Sequence, residues 1–165
     1  MDGQLENPSR YSTLEGKCIC LKGEELRQLD DILRKAIQDF SDMHRRKGLT
    51  PLPEDEMLKY IKDNLLVLFV DDKYIVGLDV VRAWFSSDAI LAEEFVYKYG
   101  EGTATMTDVA EGMMSVARYL ECGKVQVGTL AADSLTRHRA LASVYERSGF
   151  KIDAITLNRS VPWDL

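Results

Sequence analysis

The last third of the chain reads Val125-Gln126-Val127-Gly128-Thr129-Leu130 and, further on, Val144-Tyr145-Glu146-Arg147-Ser148-Gly149-Phe150. The first stretch is an apolar run of the length of a strand. The second closes a short helix on a glycine, a residue that commonly ends helices. Lys151 to Asn158 predicts one more strand. A helix between two strands in this order indicates that the helix packs on a sheet.

The upstream sequence supplies the rest of that sheet. Apolar residues recur at spacings of three and four from Leu26 to Phe40, which predicts an amphipathic helix beginning at Glu24. Continuous or alternating apolar runs bounded by turn residues predict strands. In chain order we expect a strand over 17–22, the helix from Glu24, a helix over 54–64, strands over 65–70, 74–84 and 89–97, and a helix that ends at Glu121-Cys122-Gly123.

Size and charge limit the classes of protein that fit. The chain has 165 residues and a net charge of −6, which favours one domain and argues against nucleic-acid binding through a broad basic face. We expect a flexible tail over residues 1–15 and a single domain over 16–165. No run approaches the ~18 apolar residues of a membrane span, and Met1 to Ser12 lacks the apolar core of a secretory signal.

The cysteines indicate a reducing compartment and no metal. An odd count of three, Cys18, Cys20 and Cys122, is typical of an intracellular, here cytoplasmic, protein. Cys18 and Cys20 share one face of a strand, but zinc would need two further ligands and the only histidines are His44 and His138. We therefore predict buried thiols and no metal site.

The element order and one motif resemble a known family. Tyr145-x-x-x-Gly149-Phe150 between helix and strand resembles the C-terminal half of the GNAT superfamily of acyl-CoA N-acyltransferases. The resemblance covers about residues 17 to 159. It implies an α/β fold with a central, mostly antiparallel mixed sheet and helices on both faces. It also implies transfer of acetyl from acetyl-CoA to a primary amine, on a small molecule or a protein lysine, by direct attack.

The same resemblance suggests where acetyl-CoA binds. Backbone amides of a glycine-containing loop that opens a helix suit a pyrophosphate. The family's loop typically reads Arg/Gln-x-x-Gly-x-Gly/Ala, and Gly102-Thr103-Ala104 matches its second half, with Tyr99 where Arg or Gln is usual. Glu101 departs from the pattern, because a carboxylate repels a pyrophosphate. A plain turn that needs glycine is the alternative. The implied cofactor contacts are Val96, Lys98, Gly100, Gly102, Thr103, Ala104, Thr105 and His138, the last also open to a capping or surface role.

Two catalytic residues are implied. GNAT enzymes often place a carboxylate base on the strand before this loop, where the chain has Glu93 and Glu94. Successive strand residues face opposite sides, so only one can point into the cleft, and we favour Glu94. Tyr145 would lie beside the cofactor sulfur, where a phenol can donate a hydrogen bond. The alternative for either glutamate is a charge on the surface of the sheet, and the alternative for Tyr145 is a side chain that only packs against the sheet.

A further stretch, Ala83-Trp84-Phe85-Ser86-Ser87-Asp88, resembles a GNAT subgroup common in bacteriophage genomes. This would place the protein in host cytoplasm or in a virion. A catalytically inactive fold kept as a binding or virion-associated protein is therefore the alternative function. A protein partner and a homodimer stay open. The acidic surface favours a cationic acceptor such as a polyamine, an aminoglycoside or a protein lysine.

Overall fold

The computed structural model of the chain describes residues 17–128, 134–157 and 159. The tail predicted over 1–15 lies outside that part of the chain, so the tail and the single domain stay predictions. The elements are β1 Cys18–Lys22, a 3-10 helix Gly23–Leu29, α1 Asp30–Arg46, α2 Glu54–Asn64, β2 Leu66–Val70, β3 Tyr74–Arg82, β4 Ala89–Lys98, α3 Met106–Tyr119, β5 Lys124–Gln126 and α4 Leu135–Arg147. Across the described ranges, no helix has both the length and the apolar character needed to cross a membrane.

Five strands form one sheet in the order β1-β2-β3-β4-β5. The first four pair antiparallel with their neighbours, and β5 pairs parallel with β4. The tight turn Asp71–Lys73 joins β2 to β3, as the sequence predicted. The α/β architecture with a mixed, mostly antiparallel sheet is therefore confirmed.

Each face of the sheet carries its own apolar core. The helices α1 and α2 cover one face, where the buried residues include Leu26, Leu33, Ile37, Leu58, Ile61, Val67, Phe69 and Ile75. The helices α3 and α4 cover the other, where they include Cys18, Cys20, Leu68, Val76, Leu78, Leu91, Val109, Met113 and Tyr145. Both predictions, helices on both faces and buried thiols at Cys18 and Cys20, are confirmed. Burial of this apolar surface is the main stabilising term of the fold.

The helix predicted from Glu24 begins differently. Its first turns, Gly23–Leu29, form a 3-10 helix, and the α-helix starts only at Asp30. The tighter winding still buries Leu26 completely. Asp30 at the start of α1 then pairs with Lys62 of α2 at 2.6 Å, which ties the two helices of this face together.

The strand predicted over Lys151 to Asn158 is not formed in its described part, residues 151–157. Residues 151–157 have no regular secondary structure, and Ile152 and Leu157 are exposed. Apolar residues there do not alternate strictly, so no single face can be buried. The segment is held beside β5 by an ion pair between Lys124 and Asp153 instead of a backbone ladder. The predicted strand Val125 to Leu130 is likewise shorter, since β5 ends at Gln126; Thr129 and Leu130 lie outside the described residues.

A bulge in β4 shapes the middle of the sheet. In the β3–β4 register Gly77 pairs with Phe95 and Leu78 pairs with Glu93, which leaves Glu94 as an extra residue. The Phe95 ring crosses directly over Gly77. A Cβ atom at position 77 would lie 2.2 Å from a ring carbon of Phe95, so this glycine is needed for space.

Replacing that glycine tests the packing. Gly77→Ala should lower the free energy of unfolding by about 1–3 kcal/mol, because an overpacked core forces side chains from their rotamers. Urea denaturation measures the loss. In a Phe95→Leu background the same change should cost less, because the shorter side chain can move aside. An equal cost in both backgrounds would show that Phe95 is not the obstacle.

Candidate active site

The sheet opens between β4 and β5. In the part of the chain that the structure describes, which leaves out residues 129–133, the two strands pair only from Ile90 with Lys124 to Ala92 with Gln126, although β4 continues to Lys98. Directly beyond the last pair, a carboxylate oxygen of Glu93 accepts a hydrogen bond from the backbone N–H of Gly128 at 3.0 Å. The Glu93 side chain therefore spans the opening where a backbone ladder would otherwise continue.

The bulge decides which glutamate faces this opening. Glu94, the residue favoured from the sequence, is the extra residue of the bulge and is exposed. Glu93 is half-buried on the face of α3 and α4. Simple alternation along a strand does not reveal an inserted residue. The structure thus points to Glu93 as the candidate base, and a catalytic role for either glutamate stays a prediction.

Burial changes the acidity of Glu93. Loss of water around the carboxyl raises its pKa to about 7, the hydrogen bond from Gly128 offsets part of this, and the charge of Glu94 adds to the rise. A carboxyl that titrates near neutral pH can both take up and release a proton under physiological conditions, which is what a general base must do.

Tyr145 is positioned by the end of α4. Gly149 has a φ of +91°, so the chain reverses there, and the backbone N–H of Phe150 donates to the carbonyl oxygen of Tyr145 at 3.1 Å. This return places the Phe150 ring against Tyr145, with ring centroids 5.4 Å apart. The Tyr-x-x-x-Gly-Phe motif therefore forms the C-terminal cap of α4 and holds the phenol of Tyr145 against the sheet.

The phenol of Tyr145 is buried without a hydrogen-bond partner among the residues that the structure describes. Burial, and next the nearby charge of Glu93, raise the pKa of Tyr145. The phenol thus keeps its proton at neutral pH. A buried hydroxyl without a partner is costly and uncommon, and it is consistent with a donor that waits for a ligand.

The predicted pyrophosphate loop already binds a carboxylate. One oxygen of Asp71, in the β2–β3 turn, accepts from the backbone N–H of Thr103 at 2.7 Å and from that of Ala104 at 2.9 Å. The Thr103 hydroxyl donates to the same oxygen at 2.8 Å. These hydrogen bonds hold the pKa of Asp71 below its ordinary value.

The loop glycines serve close packing. A Cβ atom at Gly100 would lie 2.0 Å from the carbonyl oxygen of Asp72, and one at Gly102 would lie 1.7 Å from that of Asp71. Neither glycine is among those with positive φ. The two residues are thus glycine because the hairpin turn lies against them, and conformational freedom is not the reason.

The remaining predicted cofactor residues lie on β4, at the start of α3 and on α4. Val96 packs on the core below α3 and α4, and Lys98 is exposed, 3.5 Å from Glu101. The Thr105 hydroxyl accepts from the backbone N–H of Asp108 and caps α3. His138 lies half-buried in the first turns of α4. Their contacts with a cofactor stay predictions.

Topology could have revealed the Asp71 contact. In an antiparallel pair, β3 begins where β4 ends, so the turn before β3 must meet the loop after β4. The sequence shows two aspartates in that turn and amide donors in that loop. The loop and Glu93 are separated by five residues of β4, roughly 17 Å.

Comparison with solved structures relates the fold to that of acetyltransferases. One such structure, of a probable acetyltransferase, has a TM-score of 0.53 at 18% identity and covers 88% of this chain and 96% of its own. An aminoglycoside acetyltransferase from an uncultured soil metagenomic sample has a TM-score of 0.58 at 10% identity, over 88% and 97%. A second one, solved with sisomicin, has a TM-score of 0.54 at 11% identity, over 88% and 96%.

No protein-family model matches the chain. No curated protein sequence matches it either. At these identities the solved structures establish the fold alone. The chain has the GNAT-like acyl-CoA N-acyltransferase fold that its element order predicted.

Glu93 should make stability depend on pH. A carboxyl whose pKa rises from 4.5 to about 7 on folding binds more protons in the folded than in the unfolded state between those values, so stability falls as pH rises through that window. Glu93→Gln keeps an acceptor for Gly128 and removes the titration. The difference in unfolding free energy between Glu93→Gln and wild type should therefore shift in favour of the variant by about 1–3 kcal/mol when the pH is raised from 4 to 8. Urea denaturation across pH measures this. Glu94→Gln is the matched control, and an equal effect there would contradict the assignment.

Removing the unpartnered hydroxyl should help the fold. Tyr145→Phe deletes a buried donor without disturbing the ring contact with Phe150, so the free energy of unfolding should rise by about 1 kcal/mol. Thermal and urea denaturation of the ligand-free protein measure the change. A clear loss of stability would mean that the hydroxyl has a partner after all.

Proposed function

We propose that the protein is an N-acetyltransferase that moves acetyl from acetyl-CoA to a primary amine by direct attack. The observation that carries the proposal is a Glu93 carboxyl with a pKa of about 7 at the opening between β4 and β5. Its charge acts on the buried phenol of Tyr145, which has no hydrogen-bond partner among the described residues. The shared fold of the acetyltransferase structures supports it.

Glu93 would act on the amine. An ammonium group has no lone pair, and a neutral amine that attacks the thioester carbonyl must lose a proton as the amide forms. The Glu93 carboxyl group is partly ionised at neutral pH, and its carboxylate form would accept that proton. The C–N bond would form and the C–S bond would break, which gives the amide and the CoA thiolate. The thiolate would take up a proton from water, and Glu93 would release the proton of the amine to water.

Tyr145 would act on the departing sulfur. A free thiol has a pKa near 8.5, whereas a phenol starts near 10, and burial raises the pKa of Tyr145 further. Full proton transfer from phenol to thiolate is therefore unfavourable. A hydrogen bond from the phenol to the developing thiolate is favourable in a buried site and strengthens only as C–S cleavage proceeds.

The acceptor would enter from the side of the exposed aromatic turn. Trp84 and Phe85 at the β3–β4 turn are 95% and 75% exposed, and Leu49 and Leu52 of the loop between α1 and α2 are exposed too. We propose that these two segments bound the acceptor site. The net charge of −6 favours a cationic amine, which fits the aminoglycoside acetyltransferases among the similar structures.

The proposal is tested by binding and turnover together. Calorimetric titration should show acetyl-CoA binding, and release of free thiol in the presence of polyamines, aminoglycosides or a lysine peptide should report transfer. Glu93→Gln should lower kcat by about 10²-fold, and Tyr145→Phe by about 10-fold or more. In the pH profile of kcat/KM, an inflection near pH 7 should vanish in Glu93→Gln, while the titration of the acceptor amine itself remains.

Glu94→Gln decides between the two glutamates. It should keep the inflection near pH 7 and most of the rate. If it instead removes both, Glu94 is the base as first expected from the sequence. If no variant and no acceptor gives thiol release, the protein does not catalyse acetyl transfer.

The second candidate is a binding protein that keeps the fold without the reaction. Two observations favour it: Asp71 holds the loop amides that a pyrophosphate would use, and the pair Trp84 and Phe85 is exposed. Absence of acetyl-CoA binding together with loss of a protein partner in Trp84→Ala would support this function over the first.

A further inference from the structure

We propose that Asp71 is a built-in competitor for the cofactor: its carboxylate occupies the amide donors of the β4–α3 loop, so a diphosphate binds there only by displacing it. This inference rests on the proposed function, because it concerns the same cofactor site. The family resemblance assigns no role to the β2–β3 turn.

The carboxylate sits where an anion would. A single oxygen of Asp71 accepts three hydrogen bonds, from the Thr103 N–H, the Thr103 hydroxyl and the Ala104 N–H, at 2.7, 2.8 and 2.9 Å. Convergence of several donors on one anionic oxygen is the geometry by which such loops hold phosphate oxygens. A donor that is hydrogen-bonded to the Asp71 carboxylate is not available to another anion, so the carboxylate and a diphosphate compete for these donors.

The turn is fastened to the loop by further contacts. The carbonyl oxygen of Lys73 accepts from the backbone N–H groups of Tyr99 and Gly100 at 2.8 and 3.3 Å. The Lys73 ammonium donates to the carbonyl oxygen of Ala104 at 2.8 Å. Gly100 and Gly102 have no side chains, so the turn can lie close against the loop. These contacts keep the Asp71 carboxylate at the amides in the absence of any ligand.

The remaining donor at the start of α3 is also used. The backbone N–H of Thr105 donates to a carboxylate oxygen of Asp108 at 2.7 Å. Thus Thr103, Ala104 and Thr105, three consecutive amides, all donate to side-chain carboxylates of the chain itself. The Glu101 carboxylate, which the sequence suggested as the obstacle, points to Lys98 instead. Asp71 is therefore the group that limits binding of a diphosphate.

The backbone of the turn selects the variant for the test. Asp71 and Asp72 both have positive φ, 48° and 50°, a conformation that Asn tolerates and Ala does not. Asp71→Asn removes the negative charge and keeps the turn. Asp72→Asn is the matched control: it removes the same charge one residue away, from an exposed side chain, without touching the contact with Thr103 and Ala104.

Calorimetric titration of wild type and both variants with CoA tests the inference. Asp71→Asn should bind CoA at least about tenfold more tightly than wild type. Asp72→Asn should stay within about twofold of wild type, because it removes the same charge without freeing the amides and so measures the general charge effect alone. Equal affinity in the two variants, or weaker binding in Asp71→Asn, would overturn the proposal and leave Asp71 as a purely structural cap.

A second readout separates this inference from the proposed function. Inorganic pyrophosphate is titrated into labelled protein while the amide resonances of Thr103 and Ala104 are followed by NMR. Both should shift in Asp71→Asn at a concentration that leaves wild type and Asp72→Asn unchanged. That result supports the inference even if no variant binds CoA or transfers acetyl. Unmoved resonances in folded Asp71→Asn would overturn it. Should Asp71→Asn fail to fold, Asp71→Gly, which also suits the positive φ, takes its place.

Discussion

One inserted residue in β4 organises this structure. Before the bulge at Glu94, Leu91 and Glu93 face α3 and α4; after it, Val96 faces them and Phe95, Tyr97 and Tyr99 face α1 and α2. Without the extra residue, the side chains on one half of the strand would exchange faces. The bulge therefore sends aromatic rings to one core and, on the other face, directs a carboxyl to the place where β4 and β5 separate.

Two groups on this face of the sheet oppose folding. They are the half-buried carboxyl of Glu93, whose pKa is raised, and the buried phenol of Tyr145, which has no hydrogen-bond partner in the described part of the chain. They are tolerated because two well-packed cores flank the sheet. Groups that destabilise the ligand-free state and gain partners only with a ligand are typical of functional sites. The loop after β4 shows the opposite behaviour, since all its described contacts with the Asp71 turn stabilise the ligand-free state.

Local patterns in the sequence were enough to predict most elements but not the contacts between them. The helix Glu54–Asn64 and the apolar strand before Asp71 follow from periodicity and turn residues. The bulge cannot be predicted from Ala92-Glu93-Glu94-Phe95, because nothing local marks which residue is extra. The sequence therefore favours Glu94, whereas the structure places the Glu93 carboxylate at the opening. The predicted C-terminal strand does not form over residues 151–157 for a different reason: the apolar residues there do not alternate strictly, so no single face can be buried.

The contact between the β2–β3 turn and the loop after β4 also restricts how the chain can vary. Hairpin turns usually accept insertions and drift in sequence. Here the Asp71 and Asp72 carbonyl oxygens lie where side chains of Gly100 and Gly102 would be, and Lys73 bonds the loop at both its ends. A longer turn or a larger loop residue on one side requires a compensating change on the other, so the two segments, distant in sequence, should change only together in the course of evolution.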